Sequence, residues 1–99
     1  MRFEWDEGKN LANQRKHGVS FEEASQVFVD PLYVSVQDRI EGGEQRWQTL
    51  GIVGGLLLLM VANTFREEYD EGTLTEVIRI ISARRATPKE RRRYEEENG

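Results

Sequence analysis

The stretch "RWQTLGIVGGLLLLMVANTF", residues 46–65, is typical of a β-hairpin and decides the predicted fold. Two runs of strand-forming residues flank Gly54-Gly55, and a glycine pair between such runs is a strong signal for a two-residue turn. With that turn, counting outward along both strands would place Arg46 opposite Asn63. The stretch therefore predicts an antiparallel pair of strands in the middle of the chain.

Three further strands are predicted around this hairpin. "FEW" (residues 3–5) looks like a short strand, "YVSVQD" (33–38) alternates apolar and polar residues, and "TEVIRIISA" (75–83) is the last strand. The polar segment "REEYDEG" (66–72) is expected to be a loop that leads into that last strand.

Three helices are predicted from residues that begin and end helices. Ser, Thr and Asp accept hydrogen bonds from the free N–H groups of a first turn, and a glutamate three residues further on completes a capping box. The first helix is expected over residues 7–16, the second from residue 20 to the end signal at 30–31, and the third from residue 88. The residues that carry these signals are Asp6, Gly18, Ser20, Glu23, Asp30, Pro31, Thr87, Pro88 and Glu90.

The predicted element order is β-α-α-β-β-β-β-α. This order favours an α+β fold, with a small antiparallel sheet and the helices packed on one of its faces. The 99 residues are enough for one modest hydrophobic core, and no linker or repeat divides them, so a single domain over residues 1–99 is expected.

Composition limits the possible classes of protein. The chain has no cysteine, which excludes disulfides and thiolate metal sites, and its net charge is −4, which argues against indiscriminate coating of DNA. The longest apolar run, residues 56–62, is far shorter than the roughly 20 residues that span a bilayer. Because the N-terminus lacks the apolar core of a signal peptide, we expect a cytoplasmic protein without a membrane partner.

The end of the last strand is strongly basic. Between residues 79 and 93 there are seven Lys and Arg side chains and one acid, Glu90. Arg79 is either a charge that keeps an edge strand from pairing with another chain or a charge beside a ligand. Arg84 and Arg85 either pair with surface acids or bind phosphate, next to the N-terminus of the third helix.

The third helix itself contains Arg91, Arg92 and Arg93, followed by three glutamates at positions 95–97. At a spacing of four residues these side chains would form ion pairs along the helix, so we expect most of its positive charge to be neutralised locally. Tyr94 either packs on the sheet or takes part in chemistry.

The first helix has one sizeable apolar residue, Leu11, and a polar side. Lys9, Asn13, Lys16 and His17 lie on one face at helical spacing. The helix is therefore either a solvated surface element or a partly cationic wall beside an anionic substrate. Because His17 is the only histidine, a mechanism with two histidines is excluded.

No metal-ligand cluster, phosphate-binding glycine loop or serine-nucleophile motif occurs in the sequence, so no metal and no cofactor are expected. Arginine, lysine, a single histidine, glutamate and tyrosine remain available. Such residues can cleave RNA without metal, since a base activates the ribose 2′-OH, cations stabilise the charged phosphate and an acid protonates the leaving oxygen.

Three blocks of the sequence resemble the BrnT toxin family. They are "FEWDEGKNLANQRKHGVSFEEASQVF" (3–28), "GEQRWQTLG" (43–51) and "IRIISARRATPKERRRYEE" (78–96), which together span nearly the whole chain. The resemblance implies a RelE-like ribonuclease toxin of a type II toxin–antitoxin system. It also implies a BrnA-type antitoxin partner with a ribbon-helix-helix domain, a heterotetrameric complex, and contact with operator DNA only through the antitoxin.

The resemblance also carries site residues over to this chain. The family pattern does not say which of them are catalytic; our hypothesis is that Arg46, Arg79 and Arg84 hold or stabilise the substrate phosphate, and that Lys16 or His17 assists proton transfer. The motif positions expected to contact substrate are Lys9, Asn13, Arg85 and Tyr94.

Asn63 departs from the family pattern, which often has histidine followed by threonine where this chain reads "VANTF". If that histidine were a catalytic base, Asn63 would weaken proton transfer. The alternatives to an active ribonuclease are therefore a weak or inactive protein that only sequesters its antitoxin, and a simple nucleic-acid-binding module.

Overall fold

The computed structural model describes residues 1–99 and contains five strands and three helices. A short 3-10 turn, Gln26–Val29, follows the second helix. The elements are β1 Arg2–Glu4, α1 Glu7–His17, α2 Phe21–Ser25, β2 Val34–Glu41, β3 Glu44–Val53, β4 Leu57–Asp70, β5 Thr73–Arg85 and α3 Pro88–Asn98. The α+β class and the element order are confirmed.

The five strands form one sheet in the order β1-β5-β4-β3-β2. Three of the four strand pairs are antiparallel, but β1 lies parallel to β5, from Arg2 opposite Val77 to Glu4 opposite Arg79. The prediction of a wholly antiparallel sheet was therefore wrong, and the sheet is mixed. The parallel pair arises because the chain leaves β1 through α1 and α2 rather than through a tight turn.

The β3–β4 hairpin differs from the prediction by one residue. Val53 pairs with Leu57, because Gly54 and Gly55, with φ of 63° and 73°, are followed by a third loop residue whose N–H donates to Val53. Trp47, not Arg46, consequently pairs with Asn63. A shift of one residue sends side chains to opposite faces of a sheet, so Arg46 and Asn63 do not face each other.

The segment "REEYDEG", expected to be a loop, continues the sheet instead. β4 extends to Asp70 and pairs with β5 as far as Asp70 opposite Thr73, and the turn is at Glu71-Gly72. The polar side chains do not prevent this pairing, because this end of the hairpin is largely exposed to solvent.

Helices cover both faces of the sheet, so the prediction of helices on one face was wrong. The α1 face is the side covered by α1 and α2, and its main core includes Leu59, Val61, Ile78 and Ile80. The α3 face is the opposite side, where α3 packs on a smaller core of four residues. These are Leu50, Leu58, Met60 and Tyr94. Residues 57–61 of β4 are apolar at every position, and a strand that is apolar on both sides needs cover on both sides.

The predicted helix signals are confirmed by the structure. Asp6 accepts from the Lys9 N–H, and Gly18 ends α1 with a φ of 69°. Both capping boxes form, one before α2 and one before α3. The second helix is shorter than expected, since its α-helical part stops at Ser25 and the 3-10 turn leads to Asp30. None of the helices is long and apolar enough to cross a membrane.

Gly51 allows the close approach of the 3-10 turn to β3. A Cβ atom at this position would lie 2.7 Å from both the Cγ1 and the carbonyl oxygen of Val27. Glycine is therefore required here for the packing of the turn against the sheet.

Candidate functional site: an arginine-bearing sheet face

Three predicted site arginines lie on the α3 face. Arg84 pairs with Met60 and Arg79 with Thr64. Arg46 immediately precedes Trp47, which pairs with Asn63, so the register continues with Arg46 beside Thr64. These three arginines, called the arginine set below, come from β3 and β5, which flank the central strand β4.

The arginine set lies around an open patch of sheet. Arg46 and Arg79 belong to one row across the strands, and Arg84 belongs to the row four residues along β3, which corresponds to about 13 Å. Between these rows lie Gln48 and Ala62, which pair with each other, and Ser82, which pairs with Ala62. All three are only partly buried, so small and polar side chains form a floor between the arginines.

A cavity of about 800 Å³ adjoins this floor, between α3 and strands β2 and β3. Its walls are polar and carry both signs of charge. The lining residues are Val36, Gln48, Leu50, Thr87, Lys89, Glu90, Arg92, Arg93, Glu96 and Glu97.

The arginines differ in their acidic partners. Arg84 is bound by Glu90 through two hydrogen bonds of 2.8 and 3.0 Å. Arg46 has one distant contact with Glu41, at 3.4 Å, and its buried Nε–H has no partner. Arg79 is exposed and forms no ion pair. Within the arginine set, Arg46 and Arg79 are therefore more available to an anion than Arg84.

The Arg84–Glu90 pair changes the pKa values of both groups. Burial alone would raise the pKa of Glu90, but hydrogen bonds from Arg84 and from the Thr87 backbone hold that pKa below its ordinary value. The bonded carboxylate in turn raises the pKa of Arg84. Both groups are therefore charged at neutral pH.

A second charged cluster lies at the far end of the α3 face. Arg66 donates to both Glu4 and Glu68, and Arg2 also donates to Glu68. The hydrogen bonds from Arg66 lower the pKa of Glu4 and Glu68. Since two carboxylates surround Arg66 and one of them also pairs with Arg2, this cluster is internally neutralised and adds no free positive charge to the face.

The ion pairs predicted along α3 do not form. Arg91, Arg92 and Arg93 have no carboxylate oxygen within 4.0 Å, although glutamates follow four residues later. All three arginines are exposed, and exposed pairs gain little against solvent and side-chain entropy.

The site residues predicted on α1 lie on the other side of the sheet. Lys9 and Lys16 are exposed, His17 is partly buried, and α1 packs against β5. Arg85 pairs with Leu59 of the main core, so it points to the α1 side, whereas the preceding Arg84 points to the α3 side. The structure therefore separates Lys9, Lys16, His17 and Arg85 from the arginine set.

Asn13, predicted to contact substrate, supports the fold. It is 7% exposed, and its Nδ2 donates to the carbonyls of Val19 and Ala83, both at 2.8 Å. Its Oδ1 accepts from the Ala83 N–H at 3.1 Å. Both of its N–H donors are engaged, which leaves none for a substrate.

Tyr94 is likewise engaged within the protein. Its ring packs on the small core of the α3 face, and its hydroxyl donates to Asp30 at 2.6 Å. Burial, reinforced by this hydrogen bond, raises the pKa of Tyr94 to about 12. The hydroxyl is therefore a neutral donor that holds α3 in place.

Asn63 is fully buried on the α1 face. Its Oδ1 accepts from the Thr49 hydroxyl at 2.8 Å, while its Nδ2 has no partner. Trp47 pairs with it and contacts Phe65 at a ring distance of 5.6 Å. Asn63 has no surface through which it could touch a substrate in this conformation.

Two residues that organise the site were not singled out by sequence reasoning as functional. Asp30 was predicted only as a helix end, but it also accepts from Tyr94 and from the Ile52 N–H. Glu90 was predicted only as a capping residue, but it also binds Arg84. Its position six residues after Arg84, across a strand-to-helix junction, was the available signal.

Comparison with known proteins identifies the class to which this fold and basic sheet face belong. A family described as "Ribonuclease toxin, BrnT, of type II toxin-antitoxin system" matches residues 5–90. The chain is thus a ribonuclease toxin of a type II toxin–antitoxin system. More narrowly, it belongs to the BrnT family, as the resemblance predicted, and a toxin of this type has an antitoxin partner.

The fold is similar to that of a solved structure. This is the crystal structure of the ribonuclease toxin BrnT from Brucella abortus, with a TM-score of 0.59 and 24% sequence identity. The similarity covers 88% of this chain and 97% of that one. No curated protein matches the chain.

Proposed function

We propose that the chain is a metal-independent endoribonuclease that binds the scissile phosphate of RNA on the α3 face. The observation that carries this proposal is that Arg46, Arg79 and Arg84 share one sheet face and border a partly exposed polar floor. Arg46 and Arg79 supply positive charge that no nearby carboxylate fully neutralises. Cations held in this way stabilise the charge that develops on phosphate during attack by the 2′-OH.

Proton transfer in this mechanism is assigned to Lys16 or His17. These residues lie on the α1 side, so the assignment requires the RNA to cross the free end of β5, where Arg84 and Arg85 point to opposite faces. The scissile phosphate would then lie beside Arg84 at that end, within reach of the proton-transfer group, and Arg46 and Arg79 would bind a neighbouring phosphate. In this arrangement Arg85 and Lys9 contact the RNA on the α1 side. Asn13 and Tyr94 act only by supporting the fold.

The proposed partner is a BrnA-type antitoxin with a ribbon-helix-helix domain, which inhibits the toxin in a heterotetramer in the cytoplasm. The antitoxin provides the contact with operator DNA. The net charge of −4 supports this division of roles, because an acidic toxin is poorly suited to bind DNA by itself.

The alternative is a catalytically weak protein that sequesters its antitoxin or represses transcription together with it. It would follow from the resemblance if the histidine expected at position 63 were a catalytic base, because this chain has Asn63 there. Its full burial argues against a direct catalytic role for the side chain at this position.

The proposal is tested with purified protein, free of antitoxin, incubated with RNA in EDTA. We expect cleavage by the wild type, and a fall in kcat/KM of roughly 100-fold for Arg46→Ala or Arg79→Ala. Arg39→Ala is the matched control, since Arg39 is an exposed strand arginine outside the site whose side chain is 69% accessible.

Intact RNA with the wild-type protein would support the inactive alternative. Cleavage that disappears only in EDTA would contradict the metal-independent mechanism. If Arg39→Ala lowered kcat/KM as much as Arg46→Ala and Arg79→Ala, the arginines would act by nonspecific charge attraction rather than as a site.

A further inference from the structure

The guanidinium group of Arg84 uses only part of its hydrogen-bonding capacity. Its Nη1 donates to the Arg85 carbonyl at 3.1 Å and to Glu90 Oε1 at 2.8 Å. Its Nη2 donates to Glu90 Oε2 at 3.0 Å. Of the five N–H groups of an arginine, this leaves the Nε–H and one Nη2–H without a partner.

These two free donors lie side by side on one edge of the guanidinium plane. That edge is one of the two that bind carboxylate or phosphate through paired hydrogen bonds. Glu90 occupies the other edge. The Nε of Arg46 is fully buried, whereas that of Arg84 is not, and the Arg84 side chain is 33% accessible, so its free edge is open to approach from the α3 face.

Glu90 is itself held in a fixed position. Its Oε1 accepts from the Thr87 N–H at 2.9 Å, as part of the capping box that begins α3. Its side chain is only 18% accessible. The first turn of α3 therefore fixes the carboxylate, and the carboxylate fixes the plane of the Arg84 guanidinium.

We propose that Glu90 is a positioning residue, which holds Arg84 so that its free Nε–H and Nη2–H edge binds an RNA phosphate. The inference rests on the proposed ribonuclease function and deepens it. Because the Arg84–Glu90 pair is neutral as a whole, Arg46 and Arg79 attract the phosphate, while Arg84 supplies two directed hydrogen bonds.

The test compares two chemically identical substitutions, Glu90→Gln and Glu23→Gln. Both residues are the third residue of a helix with a capping box, and glutamine can also fill that position. Only Glu90 also holds an arginine. In Glu90→Gln the amide NH2 cannot accept the hydrogen bond that Arg84 Nη2 donates to Glu90 Oε2 in the wild type. Any effect on helix capping is therefore matched between the two variants.

The first measurement does not depend on cleavage. A 2′-O-methylated RNA oligonucleotide, which has no free 2′-OH, is titrated while the Nε–H resonance of Arg84 is followed by NMR. We expect a saturable shift in the wild type and in Glu23→Gln, and its loss in Glu90→Gln. A merely structural role of Glu90 would leave the shift in place.

The second measurement is steady-state cleavage of unmodified RNA. We expect kcat to fall roughly 10- to 100-fold in Glu90→Gln, as for a misplaced catalytic group, and to stay unchanged in Glu23→Gln. A shifted Arg84 resonance in a wild type that does not cleave RNA would support the positioning role while removing the proposed activity. An unshifted resonance in the wild type, or an equal shift in Glu90→Gln, would overturn the inference.

Discussion

Asn13 and Ala83, which are 70 residues apart in sequence, are joined by two hydrogen bonds between the Asn13 carboxamide and both backbone polar groups of Ala83. The parallel strand β1 pairs with β5 only as far as Arg79, so the outer edge of β5 has no neighbouring strand at Ala83. The carboxamide replaces the missing strand there, because it offers a donor and an acceptor as a peptide group does. Asn13 thereby fixes α1 against the sheet.

Asn13→Ala should consequently lower the stability of the protein. The substitution leaves the buried N–H and C=O of Ala83 and the carbonyl of Val19 without a partner, which costs about 2–4 kcal/mol. Urea denaturation followed by circular dichroism measures the change. Gln14→Ala, on the exposed side of the same helix, should stay within about 0.5 kcal/mol of the wild type. Equal stabilities of the two variants would contradict the edge-capping role.

The hydrogen bond between Tyr94 and Asp30 should give stability a defined pH dependence. Burial would raise the pKa of Asp30, but hydrogen bonds from the Ile52 N–H, Tyr94 and the Leu32 N–H lower it. A carboxyl whose pKa is lower in the folded state stabilises the fold above its unfolded pKa, and this stabilisation is lost as the pH falls below about 4.

Tyr94 gives the stability the opposite pH dependence, with a loss at alkaline rather than acid pH. Its pKa rises from 10.0 to about 12, so its contribution is present below pH 10 and disappears between pH 10 and 12. We expect Tyr94→Phe to cost about 1 kcal/mol at pH 7 and to flatten the loss of stability above pH 10. Unfolding curves at several pH values test this, and an unchanged alkaline loss in Tyr94→Phe would refute it.

The sequence was most informative where structure depends on neighbouring residues. Asp6, Ser20 and Thr87 were predicted as helix caps and serve as such, because a cap and its partner lie within three residues. The hairpin was also predicted, but its register was wrong because one extra residue in the turn could not be inferred from the glycine pair.

Features that join distant segments were harder to predict. The parallel pairing of β1 with β5 and the placement of α3 on its own face depend on contacts across most of the chain. The structure places the three predicted arginines on one face of the sheet, which follows from the observed register and from the irregularity in β5 between Ile80 and Ser82. The Tyr94–Asp30 hydrogen bond joins residues 64 positions apart, and no local sequence pattern predicts it.

Asn63→His should not increase ribonuclease activity. Asn63 is fully buried beside Trp47 and Phe65 on the α1 face, whereas the arginine set lies on the α3 face. A larger imidazole at this packed position should destabilise the protein by about 1–3 kcal/mol. Cleavage assays and thermal unfolding of the variant, beside the wild type, provide the check. A rise in kcat of tenfold or more would show instead that the position takes part in catalysis.

Single alanine substitutions can show whether Lys16 or His17 transfers the proton. If one of them transfers a proton, its removal should lower kcat roughly 100-fold or more and change KM little, because a general acid or base acts only in the transition state. Arg15→Ala is the control, since Arg15 is an exposed cation in the same last turn of α1. Arg85→Ala should raise KM, because Arg85 points to the same side of the sheet and is assigned to binding. If Lys16→Ala and His17→Ala both retain the kcat of Arg15→Ala, the RNA does not cross the end of β5, and proton transfer must come from groups on the α3 face.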